Sequence, residues 1–122
     1  MLDARSRAFA TPLTIDEELV GRRAVLSVAG EIDINTAAAL RAAIESAATR
    51  AFEIWLDLTA TSFMDSGGIH AIATGRDRLA EANRRLILIC PDGPVLRALT
   101  LTGFDELLEI HRSRSAAHDA TR

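Results

Sequence analysis

The sequence is short of the residues from which most reactive sites are made. It has one cysteine, Cys90, so no internal disulfide can form. That thiol follows the apolar run 86–89 and reads as a small buried apolar residue. A single unpaired cysteine suits a reducing compartment. There are three histidines, His70, His111 and His118, and no two share a metal-ligand spacing. No Gly-x-x-x-x-Gly-Lys loop and no redox-cofactor signature occurs, so neither a metal nor a cofactor is expected. Basic excess is also missing. The chain has 14 Lys+Arg against 17 Asp+Glu, a formal net charge of −3, which leaves nothing to neutralise a phosphate backbone. The pairs Arg22-Arg23 and Arg84-Arg85 read as solvated turn residues. No apolar stretch approaches the ~18 residues of a membrane helix. Residues 1–10 carry Asp3, Arg5 and Arg7 without an apolar segment, unlike a signal peptide. A cytoplasmic protein without nucleic-acid or membrane partners is expected.

What remains is ordinary for a folded domain. A 122-residue chain with 48% hydrophobic and 25% charged residues can bury one core and has little room for a second. Residues 1–10 read as a flexible arm, 11–112 as the domain, and 113–122 as a polar tail with a brief helix around 115–119. His118 in that tail is expected to be mobile. Leu13 and Ile15 alternate with Thr14 and Asp16, the period-2 pattern of an outer strand. Gly21-Arg22-Arg23 turns the chain. Residues 24–29 form a second strand, mostly apolar as if buried on both faces. Asp33 or Asn35 can cap the helix that follows. Its apolar positions are Ala37, Leu40, Ile44 and Ala47 or Ala48, and it runs to about Arg50.

Ile54-Trp55-Leu56-Asp57-Leu58 is the strongest strand signal. A second helix opens after Asp65, with Ile69, Ile72, Ala73, Leu79 and Ala80 at helical spacing and Arg76 near the centre of that stripe. Residues 86–90 form another strand. Pro94 suits the first turn of a third helix, and Gly103 suits its left-handed stop. Residues 107–110 form a short last strand. The order β-β-α-β-α-β-α-β implies an α/β fold with a mixed, mostly parallel sheet, because parallel neighbours need a crossover between them.

Chemistry concentrates in Leu58-Thr59-Ala60-Thr61-Ser62-Phe63-Met64-Asp65-Ser66-Gly67-Gly68-Ile69. Ser66 falls between a buried strand and a helix N-terminus, where free N–H groups and the helix dipole favour an anion. Three readings compete: a helix cap, a hydrolase nucleophile on a strand-turn-helix elbow, and a phosphorylation site. The hydrolase reading is weak. The elbow requires glycine two residues before the serine, and Met64 stands there. His70, four residues beyond Ser66, can reach its hydroxyl, but nothing obvious orients the ring's other nitrogen.

Phe63-Met64-Asp65-Ser66-Gly67-Gly68-Ile69 resembles the signature of STAS domains of the anti-sigma factor antagonist family, in which a strand leads into Asp-Ser-(Ser/Thr)-Gly-Leu. Gly30-Glu31-Ile32-Asp33 with Thr36 resembles that family's Gly-Glu-Leu-Asp segment. Leu99-Thr100-Leu101-Thr102-Gly103-Phe104 resembles its third helix and stop. The likeness spans about residues 12–111. It implies a single STAS domain without catalysis of its own. It also implies that Ser66 is phosphorylated by a partner that is both serine kinase and anti-sigma factor. Unphosphorylated, the domain would bind that partner and release a sigma factor. A serine phosphatase would restore binding after phosphorylation. The partner-binding residues so implied are Asp33, Asp65, Ser66, Gly67, Gly68 and His70, although Asp33 reads more readily as a turn or cap residue. A monomer or weak dimer is expected.

Two departures stand out. Gly67 replaces the family's Ser or Thr and leaves Ser66 the only hydroxyl of the turn, and His70 stands where glycine is common. The tail also offers less of the family's last helix. The same resemblance admits another role, as the STAS subunit of a stressosome scaffold or a phospholipid-transport complex.

Overall fold

The structure, a computed structural model, describes residues 13–121, so the arm expected at 1–10 lies outside the described residues. Strands β1 (Thr14–Val20) and β2 (Arg23–Ile32) form an antiparallel hairpin. Gly21 turns it at φ +61°, a value that costs other residues strain. Then follow α1 (Ala37–Ala47), β3 (Glu53–Met64), α2 (Ser66–Glu81), β4 (Arg85–Ile89), α3 (Pro94–Leu101), a 3₁₀ turn (Phe104–Glu106), β5 (Glu109–His111) and α4 (Arg114–Thr121). The sheet runs β1-β2-β3-β4-β5, with β2 to β5 all parallel. Each helix carries the chain back across one strand width, so successive strands become neighbours.

Side chains alternate between the two faces of a strand. Ala24, Leu26, Val28, Ile54, Leu56, Leu58, Leu86 and Leu88 join α1 to α3 in the main core. Val25, Trp55, Ile87 and Ile89 point the other way and join Ala117 of α4. This second core corrects the reading of the tail. Ala117 is fully buried, and the His118 ring, though exposed, lies 4.7 Å from that of Trp55. Arg114 ties the helix down, donating from Nε to Asp57 Oδ2 at 2.7 Å and from Nη2 to Ser27 Oγ at 3.0 Å. Burial alone would raise the Asp57 carboxyl. Donors from Thr59 and Arg114 outweigh burial and hold it below its ordinary range.

Other boundaries moved for physical reasons. β2 continues beyond Ala29 to Ile32, and β3 beyond Leu58 to Met64, because they pair with each other past two register shifts. Helix α1 stops at Ala47, and Thr49 and Arg50 lie in a turn. Arg76 is exposed beside Asp77, outside the buried stripe of α2. Gly68, Ala71 and Gly75 are buried there, and these small residues rotate the stripe away from the arginine. Of the paired arginines, Arg22 is an exposed turn residue as expected, whereas Arg84 is half-buried and donates to Ala48 O and Ala82 O. Arg23 and Arg85 open β2 and β4 and flank Glu53 at 3.0 and 3.2 Å. Arg22 and Arg84 both lie over the Phe52 ring.

Candidate functional site

The parallel strands deliver three loops to one pole of the sheet, beyond their carboxyl ends, where open α/β sheets commonly place sites. β3 leads into the turn at Asp65 and Ser66. Asp65 is half-buried and extended (φ −104°, ψ −172°) and caps α2. Its Oδ1 accepts from the backbone N–H of Gly67 at 2.9 Å and of Gly68 at 3.2 Å. Its own N–H donates to Ile32 O at 3.1 Å, which ties the turn to the end of β2. Asp65, not Ser66, is therefore the cap. Ser66 is the first residue of α2 and is exposed. No hydrogen bond from a described residue engages its hydroxyl.

This geometry corrects the expectation of free N–H groups around Ser66. Those of Gly67 and Gly68 already bind the Asp65 carboxylate. An added anion at Ser66 would meet a helix end that its neighbour has already neutralised in part.

The glycines have different duties. A Cβ on Gly68 would stand 2.5 Å from Ile32 Cγ2 and 2.9 Å from Met64 Cγ, so only glycine lets α2 start this close to the strand ends. A Cβ on Gly67 would stand 3.2 Å from Asp65 Oδ1 and 3.3 Å from Ile34 Cα. The Ser66 turn thus abuts the loop after β2. There Asp33 Oδ1 accepts from Asn35 N (2.8 Å) and Thr36 N (3.1 Å), while Asp33 N donates to Thr36 Oγ1 (2.9 Å). Asp33 closes the entry to α1, a turn role that aspartate fills readily.

His70 lies exposed on α2, one turn beyond Ser66. No hydrogen bond joins its ring to Ser66 or to a carboxylate among the described residues. Sequence reasoning missed two neighbours. Ile34 is 79% exposed and Phe63 47% exposed, both at this end of the sheet. A large apolar residue between Asp33 and Asn35, outside any buried stripe, was the available signal. The pole therefore presents an unbonded hydroxyl among carboxylates, an imidazole and open apolar side chains.

No helix among the described residues is long and apolar enough to cross a membrane, and they contain no cluster of three metal-ligating side chains. The STAS domain family model matches residues 14–117. The chain is 33% identical over 98 residues to the anti-sigma-F factor antagonist RsfB of Mycobacterium tuberculosis, covering 80% of this chain and 77% of that protein. Its fold superposes with a TM-score of 0.80 on an anti-sigma factor antagonist from Mycobacterium paratuberculosis, at 27% identity over 89% of this chain and 93% of that one. It also superposes on the anti-sigma factor antagonist SpoIIAA in its unphosphorylated form, with a TM-score of 0.65, 29% identity, and coverage of 89% and 98%. A family match over nearly all the described residues, on a sheet with the same order of elements that the motifs implied, means that this chain belongs to the STAS domain family.

Proposed function

We propose that this protein is a cytoplasmic anti-sigma factor antagonist that docks through the Ser66 pole and is switched off by phosphorylation of Ser66. The observation that carries the reading is the state of that hydroxyl. It is exposed on the first residue of α2, it makes no internal hydrogen bond, and its cap role is taken by Asp65. Its replacement should therefore leave the fold intact, and its modification should act at the surface. The relatives' names supply the partner class, an anti-sigma factor. The name of one of them, SpoIIAA in its unphosphorylated form, fits control by phosphate.

In this reading the partner is also the serine kinase: the γ-phosphoryl group of a nucleoside triphosphate passes to Ser66 Oγ as the β–γ bridging P–O bond breaks, the nucleoside diphosphate leaves and the hydroxyl's proton is lost to solvent. The product carries about −1.5 to −2 charges. That charge adjoins the Asp65 carboxylate, and a docked partner would have to desolvate both. Burying an ill-matched charge at an interface costs about 2–5 kcal/mol. Ile34, Phe63 and His70 supply the contact area, and Asp33 faces the same partner. A serine phosphatase resets the switch. The test is a pull-down of wild type and Ser66→Asp from the native cell, read by mass spectrometry. Recovery of an anti-sigma factor by wild type alone is expected. Recovery of a scaffold or transport complex by both would overturn the proposal.

A further inference from the structure

The opposite pole of the sheet carries a second surface that the Ser66 site does not use. Here β1 ends and β2, β3 and β4 begin. Leu19, Val20 and Phe52 are 50%, 51% and 46% exposed. Val20 and Phe52 border an open depression of about 500 Å³ lined also by Arg22, Arg23 and Glu53. Two guanidiniums lie over the single Phe52 ring, Arg22 with its Cζ 4.0 Å from the centroid and Arg84 at 4.3 Å.

The two cations differ in their ties. Arg84 donates to Ala48 O and Ala82 O, each at 3.2 Å, at the ends of α1 and α2. The Arg22 carbonyl accepts from Phe52 N at 2.8 Å and Glu53 N at 3.3 Å, but its exposed guanidinium makes no hydrogen bond and no ion pair with a described residue, so those donors face water. The nearby carboxylate of Glu53 cannot quench it, being shared among Arg23, Arg85 and the Trp55 indole N–H. The ring orients both guanidiniums in advance, so a partner would fix them at little cost in side-chain freedom. A planar fork of this kind recognises carboxylates bidentately.

We propose that this pole is a second docking surface, and that its occupant is an acidic polypeptide segment bearing an apolar side chain. Carboxylates would bind Arg22 and Arg84, and the apolar group would cover Phe52 and Val20. Nucleic acid fits poorly, since two guanidiniums would release only about two counterions. The two poles lie at opposite ends of β3, roughly 35–40 Å apart at the usual rise per residue, so both can be occupied at once.

The test uses the full ¹⁵N-labelled chain, titrated with a short capped peptide of glutamates flanking two leucines. Amide shifts should concentrate at Gly21–Arg23, Phe52, Glu53, Arg84 and Arg85, and should vanish in high salt. Arg22→Glu should weaken binding at least about tenfold, with the near-UV circular dichroism of Trp55 unchanged. Arg22→Lys should fall between them, and Ser66→Asp should bind as wild type. Shifts at the Ser66 pole instead, or affinity indifferent to Arg22→Glu, would overturn the proposal. So would equal shifts at this pole from an oligothymidylate or from phosphatidylserine vesicles.

Discussion

Gly68→Ala adds one methyl group at the point where α2 presses on the strand ends. That methyl would lie 2.5 Å from Ile32 Cγ2, 2.9 Å from Met64 Cγ and 3.0 Å from Ile32 O. Met64 can rotate away. Ile32 cannot easily do so, because it is fully buried and β-branched, and its carbonyl is backbone. Alanine would otherwise favour the helix by up to about 1 kcal/mol. Overpacking costs about 1–3 kcal/mol. The clash should win, for a net loss of roughly 1–2 kcal/mol and a fall in Tm of about 4–8 °C. Gly75→Ala is the control. Its methyl would meet only Ile44 side-chain atoms at 3.3 Å, so it should stay within about 0.5–1 kcal/mol of wild type. Urea unfolding followed by the fluorescence of the single, buried Trp55 reads both. If Gly68→Ala is as stable as wild type, or loses no more than Gly75→Ala, the account of how α2 is seated is wrong.

Arg114→Ala should loosen α4, red-shift Trp55 emission and cost roughly 1–2 kcal/mol, a modest figure because the guanidinium is half exposed. Asp57 titrates below its ordinary range when folded. Its contribution is therefore full above the unfolded carboxyl's value near 4 and fades as pH falls through the lower folded value, so acid melts of Arg114→Ala should show a shallower loss than wild type. His70→Ala should melt within about 0.5 kcal/mol of wild type while changing the affinity of an anti-sigma partner, as calorimetry would show. Cys90 is buried, and burial pushes its thiol up to about 11, so it should react with iodoacetamide at pH 8 only in denaturant.

Much of the fold could be read from strand and helix periods. Leu40, Ile44 and Ala47 bury as their spacing required, and Gly103 stops α3 at φ +79°. Several of the misses share a cause: small or polar residues whose role comes from tertiary contact. Thr59 to Phe63 carry no strand pattern, yet they extend β3 because β2 lies alongside; Thr61, for one, bonds Val28 O at 2.9 Å. The second core had a signal that went unused. Ile54-Trp55-Leu56 is apolar on both faces, so something had to cover Trp55, and α4 was the remaining element. At the site, the order Asp65-Ser66-Gly67 allowed either polar residue to cap. Only geometry assigns the cap to Asp65 and leaves the serine free.

The most direct test of the central claim is the affinity of the anti-sigma partner for this chain before and after phosphorylation at Ser66, measured side by side by calorimetry. A cost of about 2–5 kcal/mol corresponds to a loss of about thirty-fold to several thousand-fold. The account predicts a loss in that range with far-UV circular dichroism and Tm unchanged, and no phosphate uptake by Ser66→Ala. Equal affinity for the two forms, or a phosphorylated chain that unfolds, would contradict it.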